Sequence, residues 1–333
     1  MTQFKNPYLI AFFLLVTLGN ISANGAAMTI DQCEFIRVGV KKISLSGGEF
    51  VIPAGTYKCN SAIVLDQDNV TLRGAGNVQL ILAEQSNSPV IVMGDLNTPP
   101  QPRRNIKVTH LKIDGNRQQQ SFECWGGPCD GQGLSFIRNN GITVRGLTDG
   151  VISDVTTENA RSGGVVTEKG CYNLQIEHLI ASQNQFDGFA GYETYGSVIA
   201  HSTLKNNLAA GISMDIHFDG NTFRDVLIQD NADVGIFMRA SSSNIFAELR
   251  IIGNLSHGIF LAQVEDVSTC PIDNQFENLT VVRSRGFGFL LNNACTGNRL
   301  TGHAEFLQNQ SGCIHEGTSV PLMRDADVTC LNR

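Results

Sequence analysis

A five-residue phrase that begins with Asn and ends with Gly recurs through the middle of the chain. It occupies positions 159–163, 184–188, 207–211, 231–235 and 254–258. From Gly188 onward, the final glycines are separated by 23, 24 and 23 residues, then by 30 residues up to Gly288 and by 24 up to Gly312. A nearly fixed period in the twenties is typical of a solenoid, in which each repeat is one supersecondary unit stacked on its neighbours.

A second series of polar residues keeps the same period. Asn or Ser stands at positions 173, 197, 221, 244, 274 and 298, at steps of 24, 24, 23, 30 and 24 residues. Both series take their long step in the same place, which predicts one loop of about six extra residues there. Because Asn tolerates a left-handed backbone and hydrogen-bonds to its neighbours, the first series is predicted to form a structural ladder. Its members are Asn159, Asn184, Asn207, Asn231 and Asn254.

Short segments after each glycine identify the kind of solenoid. Segments such as 189–192, 212–215 and 236–239 are rich in β-branched and aromatic residues and are bounded by Asn, Gly, Asp and Ser. This composition and its period of two are typical of short strands. No stretch between the segments has the length or periodicity of a helix. The pattern therefore predicts an all-β fold, a parallel β-helix of about 23 to 24 residues per coil.

The N-terminal residues are predicted to lie outside this fold. Residues 1–27 combine a positive residue, an apolar run and a zone of small residues, as a secretory signal peptide does. Residues 28–42, with Thr29 or Asp31 as the N-cap, are predicted to form a short amphipathic helix that covers the open first coil. One repeat architecture without a linker-like change in composition predicts a single domain over residues 28–333.

The charge of the chain limits its partners. The formal net charge is −7, which argues against nucleic acid and anionic membrane surfaces. It is compatible with an anionic substrate, because a local cationic site can form on an acidic protein. Beyond the signal peptide, no apolar run approaches the roughly 20 residues that a membrane span needs. We expect a monomer that is secreted or periplasmic after cleavage of the signal peptide.

Nine cysteines follow the signal peptide, which fits an oxidising compartment. Sequence alone does not fix their connectivity, but the phase of the coils suggests four bridges: Cys33–Cys59, Cys124–Cys129, Cys270–Cys295 and Cys313–Cys330. Cys171 is left over, and we expect it to be a buried thiol inside the stack. No spacing of Cys and His is typical of a zinc site.

One outward-facing column of side chains is predicted to run across adjacent coils. Side chains alternate between the two faces of a strand, so the fourth residue after each glycine points outward when the first and third point inward. Coils lie about 4.8 Å apart, so four such residues span about 15 Å. The column consists of Glu168, Tyr192, Asp215 and Arg239. Just beyond the strand ends lie Lys169, Glu193, His217 and Asp219, with Asp187 at the entry.

Two irregular segments interrupt the repeats and are predicted to form the walls of a groove. These are the Pro-rich residues 94–105 and residues 114–133, which carry the only tryptophan. Trp125 on such a loop could stack on a sugar ring or pack beneath its own loop. The other six histidines occupy different phases and carry no functional prediction: His110, His178, His201, His257, His303 and His315.

An acid, a phenol, a second acid and a guanidinium on successive coils suit chemistry on an acidic sugar. Removing the C5 proton of a uronic acid requires neutralisation of its carboxylate, which a bidentate Arg or a bound Ca²⁺ provides. It also requires a base and an acid at the ring. We therefore predict catalytic roles for Tyr192, Asp215, His217 and Arg239. Substrate binding is predicted for Glu168, Lys169, Asp187, Glu193 and Trp125. As outward-facing positions, the members of the column are expected to contribute little to folding.

Two sequence resemblances support this interpretation. "IPAGTY" at 52–57 followed by "VTLRGAG" at 70–76 resembles the opening coils of pectate-lyase-like proteins, the right-handed β-helix superfamily, over roughly residues 45–312. The middle repeats, with Asp187-Gly-Phe189, are similar to mannuronan C5-epimerases. That resemblance implies a functional role for Asp187. The epimerase Asp-Pro-His motif is absent, and Val166-Thr167-Glu168 stands in its place, while His217 lies near the position of the family's second histidine.

The predicted function is therefore that of a secreted enzyme acting on a uronate-containing polysaccharide, as a lyase or a C5-epimerase. Elimination across the ring gives a lyase, and reprotonation from the opposite face gives an epimerase. One alternative is a glycoside hydrolase with paired carboxylates such as Glu168 and Asp215. The other is a non-catalytic glycan-binding surface protein.

Overall fold

The computed structural model describes residues 30–44, 46–124, 127–263, 270–292, 295–317 and 321–331. Residues Asp31–Arg333 form one compact unit. The predicted signal peptide, the predicted six-residue insertion and Trp125 lie outside the described residues. Among the described helices, none is long and apolar enough to cross a membrane.

The described chain is built almost entirely from short strands, with one α-helix, α1 (Glu34–Ile43), near the N-terminus. The strands of the first half are β1 (Gly48–Ile52), β2 (Gly55–Cys59), β3 (Ile63–Leu65), β4 (Val70–Gly74), β5 (Val78–Leu82), β6 (Ile91–Gly94), β7 (Arg103–Arg104), β8 (Lys107–Asp114), β9 (Ile142–Arg145), β10 (Leu147–Thr148), β11 (Val151–Glu158), β12 (Val165–Glu168), β13 (Cys171–Tyr172) and β14 (Gln175–Glu177). Those of the second half are β15 (Ile180–Ser182), β16 (Phe189–Tyr195), β17 (Val198–Lys205), β18 (Ile212–Asp219), β19 (Thr222–Gln229), β20 (Ile236–Met238), β21 (Ile245–Ala247), β22 (Arg250–Ile252), β23 (Ile259–Leu261), β24 (Gln275–Val282), β25 (Phe287–Leu291), β26 (Arg299–Leu307), β27 (Gly312–Glu316) and β28 (Met323–Leu331). Single 3₁₀ turns lie at Arg117–Gln119, Gly127–Cys129 and Leu134–Phe136.

The strands form two parallel sheets that wind into a solenoid of about 11 turns. Here the first sheet is the one that runs from β1 to β28, and the second sheet is the one that runs from β3 to β27. Each strand of the second sheet hydrogen-bonds to the equivalent strand of the next coil, as in the order β12, β16, β18, β20, β23, β25 and β27. The predicted fold, a right-handed parallel β-helix, is confirmed.

One buried apolar ladder fixes the register of the second sheet. Its members are Cα partners from coil to coil and have no exposed surface: Phe189, Ile212, Ile236, Ile259 and Phe289. This is the ladder that the glycine series predicts. On the first sheet the rings of Phe223, Phe246 and Phe276 stack at centroid distances of 5.2 and 4.8 Å. Since every coil buries one such apolar rung against its neighbours, the stack supplies a continuous core.

Buried asparagines form a hydrogen-bonded ladder at one corner. The Nδ2 of Asn184 donates to the Oδ1 of Asn207 at 3.0 Å, and the contact continues from Asn207 to Asn231 at 2.9 Å. The predicted structural ladder is therefore confirmed from Asn184 onward, but Asn159 is not part of it. The rung of that coil is Ala160, whose backbone N–H donates to the Oδ1 of Asn184 at 3.0 Å. Asn159 lies one residue earlier and has a positive φ of 52°, so it forms part of the turn backbone and not of the side-chain ladder.

The second series forms a similar ladder at another corner. Side-chain amides bond in sequence at Asn221, Asn244, Asn274 and Asn298. Each of these amides also bonds to a backbone carbonyl, for example Asn244 Nδ2 to the oxygen of Phe218 at 2.8 Å. Buried amides are stable in a core only when both their donors and acceptors are paired, and the amides of this second ladder meet that requirement while they hold the turns.

The N-terminal helix covers the first coils. It buries Ile36 and Val40 and packs against β1 and β3. It begins later than predicted, because Cys33 is the N-cap residue. Asp31, one of the two predicted caps, accepts the backbone N–H of Cys33 at 3.0 Å through Oδ1. The turn before the helix thus makes the cap, and the Cys33–Cys59 disulfide links this turn to the first sheet.

All four predicted disulfides are present: Cys33–Cys59, Cys124–Cys129, Cys270–Cys295 and Cys313–Cys330. Cys171 is the predicted buried free thiol. Burial raises the pKa of this thiol to about 11, so it remains protonated and unreactive at neutral pH. Four bridges in one chain are typical of an extracellular or periplasmic protein.

Candidate functional site

A groove of about 540 Å³ lies on the second sheet, midway along the solenoid. Seven of the nine predicted site residues line it: Glu168, Lys169, Asp187, Tyr192, Glu193, Asp215 and Arg239. The floor includes Val166 of β12 and Ala190 of β16, which are Cα partners. Small outward side chains leave room above the sheet there.

One of the two segments predicted to wall the groove does so, whereas no residue of 94–105 lines it. Asp130 follows the Cys124–Cys129 bridge, Phe136 ends the next turn, and Arg138 lies two residues beyond that turn. A salt bridge joins this wall to the floor, because Lys169 Nζ lies 3.1 Å from Asp130 Oδ1. The disulfide and the ion pair hold the loop against the sheet.

The Asp215 and Arg239 side chains form an ion pair on adjacent coils. Arg239 Nε donates to Asp215 Oδ2 at 2.7 Å, and the Arg239 Nη2 contacts the same oxygen. Only 8% of the Asp215 side chain is exposed. The prediction that this position of the column faces solvent is therefore wrong for Asp215, whose carboxylate lines the groove but is covered by its contacts with Arg239 and the backbone N–H of Ile216. The pair gives Arg239 a partner within the chain.

Glu168 has a partner that the sequence analysis did not identify. Arg145, at the end of β9, is 1% exposed, and its Nε lies 2.8 Å from Glu168 Oε1. Its Nη1 donates to the carbonyl of Leu96 at 3.0 Å and its Nη2 to the Thr98 hydroxyl at 2.9 Å. The Pro-rich segment thus anchors Arg145, which in turn positions Glu168. Burial nevertheless raises the pKa of Glu168 above its ordinary value, against the lowering effect of Arg145.

Asp187 is a carboxyl group whose ionisation is tuned to the neutral range. Burial raises its pKa to about 6, although a hydrogen bond from the backbone N–H of Ala210 and the charge of Arg138 both lower it. The N–H of Ala210 lies 3.0 Å from Oδ1. A carboxyl group with such a pKa is ionised at pH 7 and still a much better base than an exposed aspartate.

Tyr192 stands beside these acids. It is the Cα partner of Asp215. Burial, followed by the negative charge of Asp187, raises the pKa of its phenol to about 12. The charge of Arg138 acts in the opposite direction. The phenol is therefore protonated at neutral pH and can donate a hydrogen bond or a proton.

Arg138 is the second functional candidate that the sequence analysis missed. Its Nε donates to Glu123 Oε1 at 2.7 Å, and its guanidinium lies 4.5 Å over the ring centroid of Phe186. Its charge lowers the pKa values of Glu168, Asp187 and Tyr192, so it faces the centre of the groove. No repeat marks Arg138, because it precedes a strand in an irregular segment. Arg138 also lies five residues beyond the segment 114–133 that was predicted to form the wall, so the sequence offered no signal for it.

His217 does not join the groove. The register of β16 and β18 shifts after Tyr192, which leaves β18 with an extra residue. Ile216 and His217 take up this residue with positive φ values of 47° and 60°. The bend places Ile216 at the groove and leaves the His217 side chain 70% exposed, 3.6 Å from Asp219. The position expected for His217 is thus wrong because the strand does not continue straight past Asp215.

Three of the remaining histidines share one phase, contrary to the sequence interpretation. His110, His178 and His201 each have a positive φ at the same bend of the first sheet. The His178 and His201 rings stack at 5.6 Å, and Asp154 lies between His110 and His178 at 3.7 and 3.5 Å. The shared phase is hidden in the sequence because the coil between His110 and His178 carries Asp154 instead of a histidine at this position.

Within the ranges that the structure describes, no group of three or more His, Cys, Asp or Glu side chains could hold a metal ion. Eight of the nine cysteines are in disulfides, and Cys171 is buried and protonated. Met214 and Met238 point into the core. Among the described methionines only Met323 is exposed, at 40%, and a single thioether does not make the set of soft donors that a copper site would use.

Solved structures share this architecture. The A-module of mannuronan C-5 epimerase AlgE6 from Azotobacter vinelandii aligns with a TM-score of 0.59 and 15% identity, over 88% of this chain and 94% of that chain. The periplasmic alginate epimerase AlgG aligns with a TM-score of 0.58 and 12% identity, over 84% and 76%. The N-terminal fragment of bacteriophage phi29 gene product 12 aligns with a TM-score of 0.58 and 14% identity, over 87% and 54%. At these identities the likeness establishes the fold alone.

No curated protein sequence matches the chain. A family model does, however: the model described as the periplasmic copper-binding protein NosD matches residues 109–320, which is well over half of the chain. That span contains most of the repeats, the wall and every described residue of the groove. The chain belongs to the NosD family of β-helix proteins.

Proposed function

We propose that this protein binds a uronate-containing polysaccharide in the groove and acts at C5 of one sugar unit. A single observation carries the proposal. A carboxyl group with a pKa of about 6, a phenol with a pKa of about 12 and the Arg138 guanidinium meet in one groove. Proton abstraction next to a carboxylate needs a base, an acid and a cation, and these are the three groups.

Asp187 is the proposed base. A general base is most effective when its pKa lies near the working pH, and positioned bases contribute about 10²- to 10⁴-fold in rate. Among the groove carboxylates, Asp215 is paired with Arg239 and Glu168 with Arg145. Asp187 instead accepts a hydrogen bond from a backbone N–H. This leaves its basicity to be set by burial.

Tyr192 is the proposed acid, and Arg138 is the proposed partner of the substrate carboxylate. The guanidinium is held on one side by Glu123 and against the face of Phe186. A guanidinium fixed in this way can receive a carboxylate at little cost in side-chain entropy. Asp215 and Arg239 then act as positioning residues that hold the floor beneath Tyr192.

The reaction proceeds from these positions. The Asp187 carboxylate takes the C5 proton, and the electron pair left on C5 delocalises into the sugar carboxylate beside Arg138. In an epimerase, the Tyr192 hydroxyl then gives its proton to C5 from the opposite face and is reprotonated by solvent. In a lyase, the electron pair forms the C4–C5 double bond and expels the O4 substituent, which Tyr192 protonates. In both cases Asp187 returns its proton to water.

The fold supports this proposal. Two of the similar structures are described as epimerases of mannuronan or alginate, and they share the β-helix fold of this chain. This chain has Glu168 where the epimerase motif has a histidine, so the base must come from elsewhere, and Asp187 fills that role. The copper of the NosD description does not fit, because the described residues provide no cluster of ligands and only one exposed thioether, that of Met323. No step is therefore assigned to copper, and none to Ca²⁺.

The compartment and the domain structure remain parts of the proposal. The disulfides favour an oxidising location outside the cytoplasm. We propose secretion or export to the periplasm through cleavage of residues 1–27, leaving residues 28–333 as a single domain. A polysaccharide substrate would be met in either place.

The test is an assay of the purified protein on alginate, pectate and uronate-containing glycosaminoglycans, with Asp187→Asn beside the wild type. Asn keeps an oxygen to accept the Ala210 N–H, so the variant should fold. We expect the wild type to exchange the C5 proton with deuterated water and Asp187→Asn to lose at least a hundredfold in that rate. Asp225→Asn, an exposed carboxylate on the other sheet, serves as the control.

The products then separate the alternatives. Ultraviolet-absorbing 4,5-unsaturated ends identify a lyase, and inverted C5 without chain cleavage identifies an epimerase. New reducing ends without unsaturation would identify a glycoside hydrolase and refute the proposal. Binding without turnover on any of these polymers would leave a glycan-binding protein.

A further inference from the structure

We infer that an aromatic strip beyond the groove binds sugar units that follow the reacting one along the chain. The inference rests on the proposed function, because it concerns how the same polymer is held. The strip consists of five rings on the second sheet: Phe237, Phe260, His257, Phe287 and His315. The strip favours long chains as substrates, since a monosaccharide or a disaccharide in the groove would not reach these rings.

The five rings form one continuous series of contacts. Phe237 and Phe260 meet edge to face at 5.7 Å, and His257 lies 5.6 Å from Phe260. His257 stacks on Phe287 at 5.9 Å with an interplanar angle of 4°, and Phe287 stacks on His315 at 4.8 Å. Four of the rings are partly exposed and the ring of His315 is exposed. A row of accessible rings outside the core has no packing role in the solenoid interior.

The strip is continuous with the groove. Ala190 lines the groove, its Cα partner is Ser213, and the Cα partner of Ser213 is Phe237. At about 4.8 Å per coil, Phe237 lies about 10 Å from Ala190 along the solenoid axis. Phe237 lies on β20, and Arg239, the first residue after that strand, lines the groove. A polymer leaving the groove in this direction passes over the rings.

The second residues after the glycines change in size along the solenoid, and this change indicates two kinds of subsite. The second residues after the glycines are small at the groove, where they are Val166, Ala190 and Ser213, and aromatic beyond it, at Phe237 and Phe260. Small residues admit the reacting sugar close to the sheet, near Tyr192 and Asp187. Aromatic rings offer a flat apolar surface to the C–H faces of sugars that need only be held.

His257 adds a polar group to the strip. Its Nδ1 accepts the backbone N–H of Phe287 at 3.0 Å, so a neutral ring carries its proton on Nε2. Burial lowers the pKa of this histidine, which keeps the ring neutral at pH 7. A neutral N–H donor among apolar rings suits a sugar hydroxyl or carboxylate oxygen.

The test compares the binding of a uronate disaccharide and a uronate dodecasaccharide by calorimetry. The wild type should bind the longer chain more tightly. Phe260→Ala should weaken dodecasaccharide binding by up to about tenfold, as expected for loss of one aromatic contact, and leave disaccharide binding unchanged. Phe260→Trp should restore the preference for length. Phe35→Ala is the control, because Phe35 is a 42% exposed ring on the N-terminal helix that contacts the rings of Phe50 and Tyr57 in tilted geometry.

Each outcome decides a separate question. Equal binding of both lengths by the wild type, or an unchanged length preference in Phe260→Ala, overturns the strip while leaving the proposed function in place. If the wild type binds neither uronate oligomer, the proposed function is overturned and the strip with it. A purely structural role of Phe260 would lower thermal stability in Phe260→Ala without changing the ratio of the two affinities.

Discussion

Replacement of Arg239 by Ala should weaken the fold at the groove. If Arg239 were only an outward-facing residue, as its place in the column predicts, it would be dispensable for folding. In the structure, its guanidinium is the ionic partner of the Asp215 carboxylate, whose side chain is only 8% exposed. Removing the guanidinium leaves a nearly buried carboxylate with one hydrogen bond, from the backbone N–H of Ile216 at 2.8 Å. An ionised group in such a place is costly.

The size of the effect lies between two limits. Breaking a buried pair by removing one partner costs about 3–5 kcal/mol, whereas exposed pairs contribute about 0.2–1 kcal/mol. The Asp215 side chain is nearly inaccessible to solvent, but the Arg239 side chain is 37% exposed. We therefore expect Arg239→Ala to lower the free energy of unfolding by about 2 kcal/mol. Asp215→Asn combined with Arg239→Ala should recover part of this loss, because no charge is then left unpaired.

A double-mutant cycle by urea denaturation measures this coupling directly. Because solenoids need not unfold as a single unit, amide hydrogen exchange of β18 and β20 should be followed in the same variants. Exchange should accelerate there and remain unchanged at β1 and β4. A coupling below about 0.5 kcal/mol, within the error of additivity, would refute the argument that burial makes this pair structural.

Three further predictions address the proton donor, the register and the tuned carboxyl group. Tyr192→Phe should lower turnover about a hundredfold with little change in substrate affinity, because the phenol moves a proton rather than anchoring the sugar; a matching loss of affinity would contradict this. Ile236→Asp should prevent folding, since it buries an unpaired carboxylate in the apolar ladder, and a soluble variant with the wild-type thermal midpoint would show that the register is wrong. The folded-state pKa of Asp187 is raised to about 6, so the stability it provides is present below about pH 4 and is lost as the pH rises through 6. Asp187→Asn, which does not titrate, should therefore gain stability relative to the wild type between pH 4 and pH 7 in thermal melts, and a constant difference would contradict the raised pKa.

The repeat period of the sequence was sufficient to predict the fold and most of the charged residues that line the groove. The glycine steps place Phe189, Ile212 and Ile236 in one rung series, and the alternation of side chains then places Tyr192 and Asp215 on the outside of neighbouring coils. Repeats make such inference possible, because each coil repeats the contacts of the last. The same phase placed Cys270 beside Cys295 on adjacent coils, whereas the short spacing across a tight turn indicated Cys124–Cys129.

What the period could not provide is the contribution of irregular segments. Arg138 and Arg145 act through contacts with Glu123 and Leu96, which lie in segments without a repeat. A one-residue insertion at Ile216 likewise turns His217 away from the groove, and no composition signal marks it. Burial is also a property of the assembled walls, so neither the pKa of Asp187 nor the pairing of Asp215 could be derived from spacing.

The balance of charge in the groove leads to a prediction that separates a catalyst from a binder. An ionised Asp187 repels a polyuronate, whereas Arg138 attracts it. As the pH falls through about 6, Asp187 becomes neutral, so the affinity for the polyuronate should rise. Turnover should fall over the same interval, by about tenfold per pH unit below 6, because the base is then protonated.

Opposite trends of affinity and turnover around one pKa require that a single group both repels the substrate and reacts with it. Kd and kcat measured from pH 4.5 to 7.5, above the pKa values of most uronates, should show the crossing. In Asp187→Asn the rise in affinity centred near pH 6 should disappear, and Asp225→Asn should behave as the wild type. If affinity and turnover fall together with pH, the titrating group holds the substrate instead of reacting with it, and another residue must serve as the base.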